Sequence, residues 1–470
     1  MTRAPLALAL AASAALSGCT LAPRYERAPS PPSPQVWSAV TPQAGTATSA
    51  EGLGWREVFP DPRLQQVIAL ALDNNRDLRV AVLNIDAARA QYRIQRAGLV
   101  PGVAAVGSLA RTRTPAAVAG TAQPVEADVY GADLAVSAFE LDLFGRVRSL
   151  TEASRQDFLA TEADWRAARI SLIAETANAW LTLAADQDLL EIARSTLETR
   201  QATAEVVNKR FEAGAASQVE VRQAQILVEQ SRGDVAQAAA RVAQDRNALR
   251  LLLGTDLPAD LAAADVASVA ILADLPAGAP SAVLLSRPDV LAAEHRLRGA
   301  NADIGAARAA FLPQISLTGS TGHSSPELSS LFDAGAGAWS FTPRISLPIF
   351  AGGANLAGLR AATAGRDIAL ATYEKAIQSG FREVSDALAV RETIDERLQA
   401  RTRELAAAED AERLARLRYE RGVDDYLSLL DAQRTLYASQ QAMIALRLER
   451  ASNLATLYKA LGGGGDPAAD

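Results

Sequence analysis

Residues 418–433 read RYERGVDDYLSLLDAQ, and residues 210–225 read RFEAGAASQVEVRQAQ. In both stretches an aromatic residue stands three positions before a glycine, and the stretch ends in Ala-Gln. The two aromatic residues, Tyr419 and Phe211, are 208 positions apart (419 − 211), and the two glycines keep the same offset. A constant offset between matching residues indicates an internal repeat.

The repeat continues upstream of these stretches. Asp77 matches Asp289 and Pro101 matches Pro313, in both cases 212 positions later. The offset changes only in loops and at strand ends, where insertions are tolerated. The sequence therefore predicts two copies of one unit of roughly two hundred residues. The predicted boundaries are 61–254 for the first copy (helix, two strands, long helical hairpin), 255–281 for a linker and 282–461 for the second copy.

The amino terminus has the features of a secretory signal. It reads MTRAPLALALAASAALSGCT, with the basic Arg3 followed by an apolar run that is too short to span a bilayer. Cys19, the only cysteine in the chain, follows Leu-Ser-Gly, and this stretch resembles a bacterial lipoprotein box. We expect a lipoprotein signal peptide at 1–18 and lipid attachment at Cys19, and an ordinary signal with a chance cysteine is the alternative.

The segments at the two ends of the mature chain have low sequence complexity. Residues 20–50 are rich in Pro, Ser, Ala and Thr, which predicts a lipid-anchored extended leader over 19–60. Thr20 follows the cysteine where an aspartate would indicate the inner membrane, so the outer membrane is expected by analogy. The glycine-rich stretch 462–470 is predicted to be a disordered tail.

The overall composition excludes several classes of protein. The net charge is −7, from 47 basic and 54 acidic residues, and the basic residues form no stripe, which argues against binding of nucleic acid. No later stretch gives eighteen apolar residues without a charge, so no transmembrane helix is predicted. If the mature chain crosses a membrane, strands must do so.

Very long helices dominate the prediction. Residues 146–211 contain no proline and no glycine, and a continuous helix of that size would reach about 100 Å. The matching stretch of the second copy is 356–419. Each long helix ends at a glycine of the repeated motif, Gly214 or Gly422, which predicts a helix cap followed by a returning helix. Each copy thus ends in an antiparallel helical hairpin.

Four short stretches have the alternation of β-strands instead. Residues 338–350 read AWSFTPRISLPIF, in which apolar residues such as Trp339, Phe341 and Ile345 alternate with polar ones, and 315–320 alternates likewise. The matching stretches of the first copy are 103–113 and 128–143. One interpretation is two hairpins of a small sheet packed on helices. The other is a membrane barrel, which needs at least eight strands and therefore two or three copies of this chain.

The order and spacing of these features resemble a known family, the outer membrane factors of Gram-negative bacteria. These are the TolC/OprM-type channels, and the closest resemblance is to the lipoprotein branch called NodT-like. The resemblance covers nearly the whole mature chain. It is carried by Trp55, Phe59, Asp61-Pro62 and Leu64, by FELDLFGR at 139–146, by RPDV at 287–290, by FLP at 311–313, by PIFAGG at 348–353 and by the two hairpin motifs.

The resemblance implies a mainly α fold with a small β part. Long coiled α-helical hairpins and four β-strands per chain would assemble as a trimeric 12-stranded β-barrel with a periplasmic α-helical tunnel. It also implies the function of an outer membrane channel in a tripartite efflux system, which passively conducts drugs, metals or other small toxic molecules. The implied partners are a periplasmic adaptor and an inner membrane pump, most often of the proton-driven RND type.

The resemblance further implies which residues form the periplasmic mouth. In family members, aspartates on the returning helix of the second hairpin narrow the aperture, and Asp431 matches one of them. A second family aspartate falls on Ser428, which is a departure, and Asp424 and Asp425 lie closer to the turn. Three copies of Asp431 near one axis would repel each other and attract cations. A solvated helix charge is the alternative.

The two turns would then meet the adaptor. Arg210 and Arg418, which precede the motif aromatics, are expected to pair with an acidic residue of a neighbouring helix, with helix capping and solvation as the alternative for the turn residues. The predicted adaptor-contacting residues are Glu212, Ala213, Gly214, Ala215, Glu420, Arg421, Gly422 and Val423.

The sequence offers no convincing catalytic site, and we expect no enzyme, cofactor or metal. The two histidines, His295 and His323, lack metal-ligand spacing, and no phosphate-binding loop is found. Two other functions remain open. One is an outer membrane duct for type I protein secretion. The other is a pore-less periplasmic coiled-coil scaffold, which would leave the four strands unexplained.

Overall fold

The computed structural model describes residues 20–26, 54–262, 265–269 and 281–463. Cys19, the predicted signal peptide and the tail beyond residue 463 lie outside the described residues. The first helix among these residues is α1 (Trp55–Val58). The helices and strands within the predicted first copy are α2 (Pro62–Asn74), α3 (Arg76–Ala97), β1 (Ala104–Thr114), α4 (Ala116–Ala119), β2 (Val125–Glu140), α5 (Arg146–Glu212) and α6 (Gln218–Leu253). Those of the second copy are α7 (Pro288–Ala309), β3 (Gln314–Ser325), β4 (Gly337–Ser346), α8 (Ala354–Glu420) and α9 (Tyr426–Ala460).

The predicted pair of long helices, each followed by a returning helix, is confirmed. Helices α5 and α8 each contain 67 residues, and each is followed by a returning helix, α6 or α9, of 36 or 35 residues. In the described part of the chain, no helix is both long and apolar enough to cross a membrane.

The four strands form one antiparallel sheet in the order β1-β2-β3-β4. Ser108 pairs with Gly131 between β1 and β2, and Ser320 pairs with Ser340 between β3 and β4. Within the described residues, β1 and β4 each pair on one side only. The sheet therefore has two open edges.

Two predicted strands were wrong at their carboxyl ends. The fourth strand, predicted over 338–350, ends at Ser346. The second strand, predicted over 128–143, is also too long. The apolar alternation continues to Leu143, but the strand ends at Glu140 because Asp142 serves the next helix instead. The Asp142 carboxylate accepts the backbone N–H groups of Val147 at 3.0 Å and Arg148 at 2.8 Å. These donors in the first turn of a helix have no partner within the helix.

The two faces of the sheet differ in chemistry. Paired residues of neighbouring strands share a face, so the register sorts every side chain. One face carries mostly hydroxyl and other small or polar residues: Ser108, Asp133, Ser316, Thr318, Ser320, Ser340, Thr342 and Arg344. The other carries most of the large apolar residues of the sheet: Leu109, Tyr130, Leu134, Ile315, Leu317, Trp339, Phe341 and Ile345. Near the turn between β1 and β2 this face also carries two charged pairs, Arg111 with Asp128 and Arg113 with Glu126. On the apolar face Trp339 is 79% exposed and Ile345 is 69% exposed.

The chain divides into two compact units, and each takes residues from both sequence repeats. The first comprises the described residues among 1–29, 83–162 and 292–374, and it contains the sheet. The second comprises the described residues among 30–82, 163–291 and 375–470, and it contains both hairpin turns.

The second unit has the larger hydrophobic core. Trp180 is fully buried there, and its indole N–H donates to the carbonyl of Leu261 at 2.9 Å. The apolar stripe of α2, which includes Leu64 and Ile68, packs into the same core. Helix α2 begins at Pro62, and Asp61 is its N-cap, because the Asp61 carboxylate accepts the N–H of Arg63 at 2.9 Å.

Candidate functional site: the two hairpin turns

The first turn joins α5 to α6 through a left-handed glycine. Gly214 has a φ of +73°, which residues with a Cβ rarely adopt. The N–H of Ala215 donates to the carbonyl of Arg210 at 2.7 Å, and the N–H of Gly214 donates to that of Phe211 at 2.9 Å. This pattern satisfies carbonyls that the end of the helix leaves without partners.

The second turn, between α8 and α9, repeats this backbone. Gly422 has a φ of +72°, and the N–H of Val423 donates to the carbonyl of Arg418 at 2.9 Å. The prediction that both glycines cap the long helices is confirmed. The eight predicted adaptor-contacting residues of the two turns are all exposed, and their role stays a prediction.

The two returning helices have different N-cap residues. In the first turn, the Ser217 hydroxyl accepts the N–H of Glu220 at 3.3 Å, and the Glu220 carboxylate accepts the N–H of Ser217 at 3.1 Å. In the second turn, the Asp425 carboxylate accepts the N–H of Ser428 at 3.0 Å and its hydroxyl at 2.8 Å. Both are N-caps of ordinary chemistry.

The structure brings together three of the four predicted aperture residues. Asp425 caps the helix on Ser428, while both carboxylate oxygens of Asp424 accept from the Arg418 guanidinium, at 2.5 and 2.7 Å. The guanidinium lowers the pKa of Asp424 below its usual value of 3.8. Asp431 is exposed and, among the described residues, forms no ion pair.

The arginine of the first turn reaches the second hairpin. Arg210 Nη1 donates to the carbonyl of Tyr419 at 2.6 Å, and its guanidinium carbon lies 4.6 Å from the centre of the Tyr419 ring. The Tyr419 hydroxyl donates in turn to Glu220 at 3.4 Å. The expected carboxylate partner was therefore wrong for Arg210, which binds a backbone carbonyl, and Arg418 pairs within its own turn.

A small apolar cluster holds the two hairpins together behind these contacts. Its members are Val207, Val221, Ala224, Leu227, Tyr419, Tyr426, Leu429 and Leu430. Burial, followed by the neighbouring Tyr419, raises the pKa of Tyr426 to about 12. One turn further along α9, Gln433 Nε2 donates to the hydroxyl of Thr203 at 3.2 Å.

Two features of this region escaped the reasoning from sequence. Tyr419 is 2% exposed, whereas its repeat partner Phe211 is 40% exposed, although both occupy the same place in the motif. Arg200 is buried as well, where its Nη1 donates to the Ser231 hydroxyl at 2.7 Å and burial lowers its pKa. The change from Phe to Tyr was the one signal of the first feature, and nothing marked the second.

The two histidines contact neighbouring side chains. His295 Nδ1 lies 2.6 Å from the Gln156 amide oxygen, and the His323 ring lies against Phe332 with centres 5.5 Å apart. Burial, together with a hydrogen bond to Asp186, raises the pKa of Asp245 to about 6. Among the described residues, no group of three His, Cys, Asp or Glu side chains is arranged to hold a metal ion.

Comparison with known proteins gives a family match along most of the chain. Residues 67–255 and 279–463 match the model of the outer membrane efflux protein family. The antibiotic efflux pump outer membrane protein ArpC of Pseudomonas putida is 48% identical over 467 residues, which cover 99% of this chain and 96% of that protein. The toluene efflux pump outer membrane protein TtgC of the same species has the same identity and coverage.

Solved structures agree with this match. The open state of the MtrE outer membrane channel of Neisseria gonorrhoeae is 42% identical and superposes with a TM-score of 0.83, covering 95% of this chain and 99% of that one. The predicted fold, long helical hairpins with four strands, is confirmed as that of TolC/OprM-type channels.

Proposed function

Because the chain belongs to the outer membrane efflux protein family, we propose that it is the outer membrane duct of a tripartite efflux system. It would passively conduct small molecules that an inner membrane pump and a periplasmic adaptor deliver. The observation that carries this proposal is the sheet, which has one polar face, one exposed apolar face and two open edges.

The sheet supports an assembly of several copies. In lipid, unpaired strand edges are too costly to persist, so strands that span a membrane close into a barrel. Four strands are too few for that closure. We propose a homotrimer, in which β4 of one copy pairs with β1 of the next and twelve strands close. The apolar face would contact lipid and the polar face would line the lumen, continuous with a helical tunnel in the periplasm.

The two hairpin turns would form the periplasmic mouth of this tunnel. Asp431 is exposed and has no ion-pair partner within the described residues, so its charge is available to an inner ring of three. Asp424 and Asp425 are engaged by Arg418 and Ser428, so their contribution to the ring is weaker. The eight exposed turn residues would contact the adaptor.

The amino terminus would anchor the duct in the outer membrane. Cys19 is the proposed lipid-attachment residue, and 1–18 would be removed as a signal peptide. Fatty-acid labelling tests this step, since the change Cys19→Ala should abolish incorporation of the label. Label that persists in that variant would remove the lipid anchor from the proposal.

The transported compounds follow from the pump rather than from the duct. Two relatives with the same 48% identity to this chain are named for efflux of antibiotics and of toluene. These names favour export of small toxic molecules over export of proteins. A proton-driven pump of the RND type is the proposed partner, as the resemblance to the lipoprotein branch of the family implies. We therefore propose a broad range of small-molecule substrates.

The size of the purified protein in mild detergent tests the assembly. Three copies per particle and ion-conducting channels in planar bilayers are expected. A single-copy particle that conducts no ions would refute the duct.

Single-channel recording then tests the mouth. The change Asp431→Ala should raise the conductance or relax the preference for cations, because three like charges leave the ring. The change Glu420→Ala, at the exposed turn, serves as the control of equal charge. An unchanged current in Asp431→Ala would refute the ring but not the duct.

A further inference from the structure

The polar face of the sheet carries few charged side chains. Residues that pair across neighbouring strands share a face, so the rows of this face can be followed from β1 to β4. Among the paired residues of the polar face, three are charged: Asp133, Glu140 and Arg344. The other paired residues of this face are neutral. A charge on the polar face therefore stands among neutral neighbours.

One row of this face holds a positive charge that has no partner. Glu140, Ser316 and Arg344 stand side by side on β2, β3 and β4. The Glu140 carboxylate accepts from Arg146 Nε at 2.9 Å and from Arg146 Nη2 at 2.5 Å, so its charge is neutralised. Arg344 lies two strands away, about 10 Å between Cα atoms. It is exposed and forms no ion pair with any residue that the structure describes.

A neighbouring copy of the chain offers Arg344 no carboxylate from its paired strand. In the proposed trimer β4 pairs with β1 of the next copy, so the polar faces of these two strands adjoin. The polar-face residues of β1 are all uncharged: Ala104, Val106, Ser108, Ala110, Thr112 and Thr114. The strand that closes the barrel therefore leaves the charge of Arg344 uncompensated.

Asp133 places a negative charge further along the same face. Its paired residue on β3 is Gly322, six residues beyond Ser316 (322 − 316), which separates the two rows by about 20 Å along the strand. A Cβ on Gly322 would lie 2.6 Å from Asp133 Oδ1, so the carboxylate occupies the space above this glycine. Asp133 is half-buried and, in the described part of the chain, forms no ion pair.

From this arrangement we propose that Arg344 and Asp133 form two rings of opposite charge in the lumen of the barrel. The inference rests on the proposed trimer, in which each ring holds three charges. Twelve strands enclose a backbone radius of about 12 Å. Charges that point inward therefore lie within about one Debye length, about 10 Å at 0.1 M salt, of an ion on the axis. The Arg344 ring, nearer the helices, favours anionic solutes, and the Asp133 ring favours cationic ones.

Reversal potentials in planar bilayers, under a salt gradient near about 0.1 M, test the two rings. Arg344→Gln should raise the ratio of cation to anion permeability by about twofold, because three positive charges leave the lumen. Asp133→Asn should lower this ratio by a similar factor. The matched controls are Arg113→Gln and Glu126→Gln, which remove one charge of each sign from the apolar face and should leave the ratio unchanged.

Charged thiol reagents test the position of Arg344 in channels that already conduct. In Arg344→Cys, 2-(trimethylammonium)ethyl methanethiosulfonate should return the permeability ratio towards that of the unmodified protein, and the negative 2-sulfonatoethyl reagent should move it further away. Ile345→Cys, on the opposite face, should not react, because its thiol faces lipid. The protein without either substitution, treated in the same way, controls for Cys19. Equal reaction at both positions, or none at position 344, would overturn the assignment of Arg344 to the lumen.

The same recordings separate this inference from the proposed duct. Conducting channels whose permeability ratio is unchanged in both Arg344→Gln and Asp133→Asn would overturn the rings and leave the duct intact. A shift of equal size in the Arg113→Gln control would also overturn them, since the effect would then not depend on the face. A protein that forms no channel before any substitution would refute the duct, and with it the rings.

Discussion

In the first hairpin turn Phe211 is 40% exposed, whereas its repeat partner in the second turn, Tyr419, is 2% exposed. The arginines that precede them differ in the same way. Arg210 donates to the backbone of the other hairpin, and Arg418 pairs with Asp424 inside its own turn. The backbones are nonetheless alike, with left-handed glycines at +73° and +72°. The two turns share their backbone geometry, and the contacts between the hairpins depend on side chains that differ between the turns.

The largest difference should appear when the two motif aromatics are truncated. Tyr419→Ala removes a buried ring from the cluster between the hairpins and should cost about 3 kcal/mol of stability. Phe211→Ala removes an exposed ring and should cost less than about 0.5 kcal/mol. Thermal unfolding of the detergent-solubilised protein, with hydrogen exchange at both turns, measures this. Equal losses would show that the two turns are equivalent in energy as well as in backbone.

The next largest difference should lie in how much each of the two arginines contributes to stability. Arg210→Ala removes a charged hydrogen bond to the Tyr419 carbonyl and a contact with its ring, which should cost about 1.5 kcal/mol. Arg418→Ala breaks a solvent-exposed ion pair and should have the smaller effect. Thermal unfolding of both variants measures these losses of stability. A larger loss for Arg418→Ala than for Arg210→Ala would contradict our assignment of the contact between the hairpins.

Removal of the N-cap should lower stability by similar amounts in the two turns. Ser217→Ala and Asp425→Ala each remove an N-cap, and each should cost about 1 kcal/mol. Ser217→Gly is a matched control, since glycine at this position costs only a few tenths of that amount. Hydrogen exchange in the first turns of α6 and α9 reports the loss. Unequal fraying of the two helices would contradict a shared turn geometry.

The smallest expected effect is a loss of stability in the second turn at low pH. Arg418 holds the pKa of Asp424 below its usual value of 3.8, so this pair stabilises the second turn above that pH. The contribution is lost as the pH falls through the lowered pKa. The Arg210 contact ends on a carbonyl, which does not titrate in this range. Acid should therefore increase proteolysis at the second turn first, and Arg418→Ala should remove this difference between the turns.

Local patterns in the sequence predicted most of the fold. The repeated glycines and the absence of proline and glycine from 146–211 reflect short-range geometry, and both predictions were confirmed. The alternation at 338–350 was confirmed as a strand only as far as Ser346. The end of β2 was wrong because Asp142 is used by a helix, a choice that alternation alone does not reveal.

The candidate site was harder to predict, since it depends on contacts between distant segments. The positions of the turns followed from the repeat. The burial of Tyr419 and the bond from Arg210 to its carbonyl depend on residues about 200 positions apart in the chain, and one sequence contains no record of that proximity.

The two open edges of the sheet have a consequence for the life of a newly secreted copy. Unpaired edge strands recruit any extended chain they meet, and the apolar face beside them, with Trp339 79% exposed, adds to this hazard. A solitary copy in transit is thus prone to aggregate even when correctly folded. The yield of assembled protein should depend on how quickly this copy meets other copies of the chain or a chaperone. Copies that are made at low concentration, or that meet others late, should be degraded or should aggregate.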